Sequence, residues 1–131
     1  MLSPVTLKQF ERLKQRHPDA SMVPLPSGSA LLTLPSVALP GGWSCAASSV
    51  RFIVPAGYPG PSPDCFWADE RLTLANGAAP HASQVNQIPE TAQRGRWFSW
   101  HVTNAQNNWN PNRDDLVTYL GIVLDRFRHV Q

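Results

Sequence analysis

The most informative stretch of the sequence covers residues 57–67 and reads Gly57-Tyr58-Pro59-Gly60-Pro61-Ser62-Pro63-Asp64-Cys65-Phe66-Trp67. Proline fixes its own φ angle and lacks a backbone N–H group, so it disrupts a helix. Three prolines in five positions therefore exclude a helix here and favour a stiff, extended connector. The apolar residues that follow predict a short strand, and we expect Tyr58 to be largely buried.

The residues before this connector predict β-strands separated by turns. Ala30–Leu34 and Val50–Val54 are short runs with β-branched and large apolar residues, which favour strands. Gly41-Gly42 lies between them and is a turn signal. Prolines are spread through residues 18–63, which disfavours a long helix in this region. We therefore expect an antiparallel meander of about four strands.

A helix is predicted at the start of the chain, over residues 4–17. Its apolar side chains repeat every three residues: Leu7, Phe10 and Leu13. Ser3 is suited to cap this helix, and Pro4 to occupy its first position. Pro18 ends the pattern.

The second half of the chain predicts a long loop, a short extended segment and a final helix. Residues 69–96 are small and polar and predict an irregular loop. Residues 97–102 predict the extended segment and residues 103–108 a polar turn. Asn110 and Pro111 are expected to cap and begin the last helix. Its apolar stripe is Leu116, Tyr119, Leu120, Val123, Leu124 and Phe127.

Length and composition limit the class of protein. The 131 residues fit one domain, residues 1–131, with 42% hydrophobic and 15% charged residues. The net charge is only +2, and the chain lacks the basic stripe that is typical of a nucleic-acid-binding protein. No apolar run is long enough to span a membrane, and the start of the chain lacks a signal-peptide pattern. We therefore expect a cytoplasmic protein that has no nucleic-acid or membrane partner.

The order of these elements and two motifs resemble the ubiquitin-conjugating-enzyme superfamily. The first motif is the Tyr58-Pro59 pair with its spaced prolines and Phe66, and the second is Trp109-Asn110-Pro111. The closest likeness is to a divergent bacterial branch of that superfamily. The resemblance implies an α+β fold with an N-terminal helix, a four-stranded antiparallel meander, a long loop and a C-terminal helix. It also implies two partners, a ubiquitin-like protein and an activating-enzyme-like protein.

The resemblance places a catalytic cysteine eight residues before the tryptophan of the second motif, and that position is His101 in this chain. Ser99 would share one face with His101 if the segment is extended. An imidazole beside a hydroxyl can act as the general base for an oxyester intermediate. His101 and Ser99 are therefore the candidate catalytic residues. A structural role for His101 and a partner contact are the alternatives. No acid that would orient the imidazole is evident nearby in sequence, and Asp114 or Asp115 would reach it only through the fold.

The two cysteines, Cys45 and Cys65, are interpreted as small buried apolar residues. Cys65 is expected at the end of its strand that is remote from the active-site loop. We expect both cysteines to be unpaired and dispensable for activity. Their spacing is not that of a metal site, so no metal or other cofactor is expected. The triplet His81-Ala82-Ser83 and Asn86 match the family's His-Pro-Asn motif poorly and are interpreted as ordinary loop residues.

The resemblance also suggests residues for contact with partners. The family's first helix docks the activating enzyme, which points to Lys8 and Arg12, and Trp109 is a further candidate because indoles suit protein interfaces. The expected function is a ubiquitin-conjugating-enzyme-like component of a bacterial modification system, an acyltransferase if active, which carries or positions a ubiquitin-like C-terminus. The alternative is a non-catalytic binding module of the same fold that holds a ubiquitin-like or activating-enzyme partner.

Overall fold

The computed structural model describes residues 2–102 and 108–131, which form two helices and one six-stranded antiparallel sheet. In chain order the elements are α1 (Pro4–Arg16), β1 (Ser21–Pro24), β2 (Ala30–Ala38), β3 (Ala47–Val54), β4 (Phe66–Ala68), β5 (Ser83–Gln87), β6 (Arg94–Phe98) and α2 (Leu116–Arg128). The strand order across the sheet is β1-β2-β3-β4-β6-β5. The α+β class is confirmed. The four strands β1–β4 are consecutive antiparallel neighbours, but the sheet has six strands rather than the expected four, because β5 and β6 extend it.

The two additional strands lie in residues 69–96, which the sequence predicted as an irregular loop. β5 and β6 pair from Ser83↔Phe98 to Gln87↔Arg94. β5 is an edge strand in which every residue is exposed or only half-buried, and four of its five residues are polar. It therefore lacks the apolar alternation that indicates a half-buried strand. β6 ends at Phe98, so only the first two residues of the extended segment predicted over residues 97–102 belong to a strand. The turn predicted over 103–108 lies almost wholly outside the described residues.

The start of the chain folds as its sequence predicts. The Ser3 hydroxyl accepts a hydrogen bond from the Thr6 N–H at 3.1 Å, and Pro4 occupies the first position of α1. Phe10 and Leu13 are buried, and the helix ends before Pro18. Leu7 is 48% exposed, so the predicted apolar stripe is only partly used for packing.

The connector 57–67 contains no helix, and Tyr58 is only 4% exposed, as predicted. The segment is not extended throughout, because the Tyr58 N–H donates to the Pro55 carbonyl at 3.1 Å and forms a turn. The Trp109 indole donates to the Pro59 carbonyl at 2.8 Å, and its ring lies 6.0 Å from that of Tyr58. The two motifs that are 50 residues apart in sequence therefore pack on each other.

The core lies between the sheet and α2 and is largely aromatic. Phe66 and Phe98 stack with their ring centroids 4.9 Å apart, and Phe127 from α2 packs edge-on against both. Tyr119 packs against Phe52 of β3 in the same way, at 4.9 Å. This packing fixes β4, β6 and α2 relative to one another.

Helix α2 begins five residues later than predicted. Its N-cap is Asp115, whose carboxylate accepts the Thr118 N–H at 2.8 Å. Asn110 instead forms a separate turn, in which its backbone carbonyl accepts the N–H groups of Arg113 and Asp114. Neither helix among the described residues is long and apolar enough to cross a membrane.

This corrected helix start gives a stability prediction. We expect Asp115→Ala to lower the free energy of unfolding by about 0.5–2 kcal/mol, because it removes the N-cap. It also removes the ion pair with Arg12 of α1, whose N–O distance is 3.2 Å. Urea unfolding of Asp115→Ala and Asn110→Ala, each against the parent protein, measures the effect. A larger loss for Asn110→Ala would contradict the assignment of the cap.

Candidate active site at the ends of two strands

Two neighbouring strands bring the chemically active side chains together. β4 and β6 are antiparallel, and Phe66, the first residue of β4, pairs with Phe98, the last residue of β6. Asp64 and Cys65 come directly before β4, and Ser99 and His101 follow β6. All four therefore lie at the same end of these two interior strands. The Cys65 N–H donates to the Trp100 carbonyl at 3.2 Å and extends the pairing beyond the strands.

The His101 imidazole lies between a carboxylate and a hydroxyl. Its Nδ1 is 2.6 Å from Oδ1 of Asp64, and its Nε2 is 3.5 Å from Oγ of Ser99. The expected proximity of Ser99 and His101 is therefore observed, at a separation longer than that of a general base in action. Such hydrogen bonds are often long before substrate binds. The three residues form an Asp–His–Ser sequence of contacts.

The acid in this arrangement is not one that the sequence suggested. Asp114 accepts hydrogen bonds from the Asn110 N–H at 2.8 Å and from the Arg113 guanidinium, which is the main cause of its lowered pKa. Asp115 caps α2. Asp64 is 37 residues from His101 in the chain, so only the pairing of β4 with β6 reveals it. The signal in the sequence was its position directly before an apolar strand.

The contacts of His101 also determine which nitrogen carries the proton. A carboxylate only accepts hydrogen bonds, so the short contact with Asp64 requires a proton on Nδ1. In the neutral imidazole Nε2 is then the acceptor, and this is the nitrogen that faces Ser99. The ring is therefore oriented to take a proton from the Ser99 hydroxyl.

Trp100 anchors the segment between Ser99 and His101. Its indole Nε1 donates to the Ile122 carbonyl of α2 at 3.2 Å, and its ring lies 6.0 Å from that of His129. Trp100 therefore holds the end of β6 against α2. Ser99 is fixed from the other direction, because its N–H donates to the Ala82 carbonyl at 2.9 Å.

Cys65 is not remote from this site, so that expectation was wrong. Its Sγ lies 3.8 Å from Nδ1 of His101. The hydrogen bond from the Cys65 N–H to the Trp100 carbonyl continues the β4–β6 pairing and holds Cys65 beside the segment that leads to His101. Cys65 is only 6% exposed and has a positive φ of 58°. The buried Tyr119 hydroxyl donates to its carbonyl at 2.7 Å and holds it in this conformation.

The environment of Cys65 makes its thiol a weak nucleophile at neutral pH. Burial, followed by the nearby Asp64 charge, raises the pKa of the Cys65 thiol. Nδ1 of His101, the nearest ring nitrogen, already bears the proton donated to Asp64 and cannot accept another. Because the thiolate is the reactive form, both effects slow the reactions of Cys65.

We therefore expect iodoacetamide to modify Cys45 well before Cys65 at neutral pH. Cys45 is exposed, Cys65 is buried, and both are free thiols. The rate at Cys65 should continue to rise with pH above the range of an ordinary thiol, because a raised pKa delays formation of the thiolate. Peptide mapping of the two alkylated sites over a pH series gives both rates. Faster modification of Cys65 at neutral pH would contradict this description of its environment.

The residues proposed for partner contact lie elsewhere in the fold. Lys8 is exposed on α1, whereas Arg12 pairs with Asp115 and Trp109 donates to the Pro59 carbonyl.

Asn86 lies in β5, where its side-chain oxygen accepts the Trp67 indole N–H at 2.7 Å. Asn86 thus has a structural contact within the sheet.

One group among the described residues has the composition of a metal-binding site. A carboxylate oxygen of Asp64, Sγ of Cys65 and a ring nitrogen of His101 all lie within 4.8 Å of one another. The fold assembles this group from the ends of two strands. Asp64 and Cys65 are adjacent in sequence, but His101 is 36 residues from Cys65, so the sequence shows no metal-binding motif.

Comparison with known proteins identifies one family. A family model described as prokaryotic E2 family E matches residues 10–129. Comparisons with curated proteins and with solved structures gave no significant match. E2 denotes the ubiquitin-conjugating enzymes, the superfamily that the two sequence motifs resemble. The matched region includes both helix α2 and the four residues at the ends of β4 and β6.

Proposed function

Because the chain belongs to prokaryotic E2 family E, we propose that it accepts the C-terminal acyl group of a ubiquitin-like protein on Ser99 and transfers it to an amine. One observation carries the choice of residue. Nδ1 of His101 donates a hydrogen bond to Asp64, and Nε2 of the same ring faces Ser99. This is the arrangement of a hydroxyl nucleophile, its base and the acid that orients the base.

The first half-reaction forms an oxyester. Oγ of Ser99 attacks the carbonyl carbon of the activated acyl group, a thioester on the activating enzyme, while its proton passes to Nε2 of His101. The imidazolium that results is stabilised by the Asp64 carboxylate. The tetrahedral intermediate then collapses, the C–S bond breaks, and the leaving sulfur takes the proton from Nε2.

The second half-reaction releases the acyl group to a target. An amine attacks the carbonyl carbon of the Ser99 oxyester, and Nε2 of His101 accepts a proton from the attacking nitrogen. The C–O bond to Ser99 breaks, and the imidazolium returns that proton to Oγ. An amide is formed, and Ser99 and His101 regain their starting protonation states.

The contacts favour Ser99 over Cys65 as the acyl acceptor. Nε2, the nitrogen that can accept a proton, faces Ser99, whereas the Cys65 thiol is buried beside the protonated Nδ1. Ser99 is half-buried and His101 is exposed, so a substrate carbonyl has access to the hydroxyl.

Helix α1 supports the proposed contact with an activating enzyme. Val5 is 46% exposed there and lies three residues before the exposed Lys8, so these two side chains share one face of the helix. Leu7 is 48% exposed, but it lies on a different side of the helix from Val5. An exposed apolar side chain beside a basic one suits contact with a protein partner. The Arg12 guanidinium is less available for contact with a partner because it is paired with Asp115.

A peptide thioester tests the acyl transfer without any partner protein. We expect an N-acetylated dipeptide thioester to form one covalent adduct, detected by intact mass spectrometry. An oxyester resists excess thiol but is cleaved by hydroxylamine and by mild alkali. An adduct that thiol removes would indicate a thioester and would contradict the assignment of Ser99.

A second function is favoured by one observation, the histidine at the position where the resembled family has its cysteine. In that case the protein is a binding module that holds a ubiquitin-like or activating-enzyme partner without covalent transfer. Two results together would support this function. The protein would form no adduct, either with the thioester probe or with activating enzyme, ATP and ubiquitin-like protein, and it would still bind the ubiquitin-like protein.

A further inference from the structure

The group formed by Asp64, Cys65 and His101 has a chemistry that the acyl transfer does not use. It combines a carboxylate, a thiol and an imidazole, and the candidate ligand atoms lie within 4.8 Å of one another. Zinc prefers sulfur and nitrogen ligands in tetrahedral sites and also accepts carboxylate oxygen. Cys65 takes no part in the proposed transfer, yet its Sγ is directed at the catalytic histidine.

Two of the three separations between these atoms can be compared with those of a zinc site, and the third, from Sγ of Cys65 to the Asp64 oxygen, lies within 4.8 Å. Ideal zinc–ligand bonds place sulfur and nitrogen roughly 3.6 Å apart, and Sγ of Cys65 is 3.8 Å from Nδ1 of His101. The same geometry requires roughly 3.4 Å between nitrogen and oxygen, whereas Nδ1 and Oδ1 of Asp64 are now 2.6 Å apart. The Asp64 side chain is 60% exposed, so it is free to move outward by this amount.

We propose that Asp64, Cys65 and His101 bind one zinc ion, with the Cys65 sulfur, Nδ1 of His101 and an Asp64 oxygen as ligands. Solvent water supplies the fourth ligand, because Asp64 and His101 are both exposed. The thiol loses its proton to solvent when it binds the metal. The imidazole stays neutral, and its proton moves from Nδ1 to Nε2 by exchange with water.

This proton movement gives zinc a regulatory effect, a consequence that rests on the proposed function. With zinc on Nδ1, Nε2 of His101 carries a proton and no longer accepts one from Ser99. The same ion also removes Asp64 from its contact with the ring. Zinc therefore switches off the general base without contacting Ser99.

Titration calorimetry with zinc chloride, in a buffer that does not bind metal, tests the binding directly. We expect one-to-one binding to the parent protein. Cys65→Ala should weaken it at least tenfold, because losing a ligand costs no less than losing a group that supports one. Cys45→Ala is the matched control and should bind zinc as the parent does, since Cys45 is exposed and outside the group. Cobalt(II) should give a thiolate-to-cobalt absorption band that Cys65→Ala lacks and Cys45→Ala retains.

The outcomes separate this inference from the proposed function. Equal zinc affinity in the parent and Cys65→Ala would overturn it, because binding would then arise from other histidines or acids. Where the thioester probe forms an adduct, zinc should slow acylation of the parent and of Cys45→Ala but not that of Cys65→Ala. Zinc binding that depends on Cys65 in a protein that forms no adduct would support the metal site and contradict the acyl transfer.

Discussion

Ser99→Ala should form no adduct with the peptide thioester, and His101→Ala should form it about 10²–10⁴-fold more slowly, the usual contribution of a general base. The difference arises because Ser99 supplies the atom that is acylated, whereas His101 only removes its proton. Both side chains are at least partly accessible to solvent, so we expect the fold to be retained. Stopped-flow or quenched reactions followed by intact mass measure the two rates.

His81→Ala is the matched control for the histidine. The side chain of His81 is exposed, and its backbone carbonyl accepts the Arg126 guanidinium at 2.9 Å, a contact that alanine preserves. Its rate should equal that of the parent. Asp64→Asn should slow acylation because an amide no longer fixes the proton on Nδ1. A His101→Ala protein that is folded and reacts at the parent rate would contradict the role of the base.

The largest effect on stability is expected for Phe98→Ala, which should lower the free energy of unfolding by about 3–5 kcal/mol. The Phe98 ring is fully buried and stacks on Phe66, and it also packs edge-on against Trp43 and Phe127. The Arg126 guanidinium lies 5.0 Å from the centre of the same ring. Alanine would leave a cavity where β4, β6 and α2 meet.

Urea unfolding against Val23→Ala provides the comparison for this core prediction. Val23 is 55% exposed on β1, so its truncation should change the free energy of unfolding by about 0.5 kcal/mol or less. A loss below about 1 kcal/mol for Phe98→Ala would mean that the core does not depend on this ring.

The helices and the buried strands could be predicted from the sequence because each carries a local signal. Ser3 and Pro4 begin α1 as expected, and the apolar runs Ala30–Leu34 and Val50–Val54 lie within β2 and β3. The start of α2 was placed too early because Asn110 and Asp115 are both good caps in sequence. Only the structure shows that Asn110 serves a separate turn.

The candidate site was only half predictable. Ser99 and His101 are two residues apart, so their contact is local and follows from the spacing. Asp64 and Cys65 reach the site through the pairing of β4 with β6, and these two strands are separated in the chain by residues 69–93, which include β5. β5 carries no strong strand pattern, so the true neighbour of β4 and the acid it supplies could not be identified from the chain alone.

Mapping the acyl adduct by peptide mass spectrometry tests the central claim most directly. The protein is acylated with the peptide thioester, treated with excess thiol, digested and fragmented to locate the acyl group. We predict a thiol-resistant acyl group on Ser99, absent from Ser99→Ala and present in a variant in which Cys45 and Cys65 are both serine. An acyl group on Cys65 that is lost on treatment with thiol, with none on Ser99, would contradict the account.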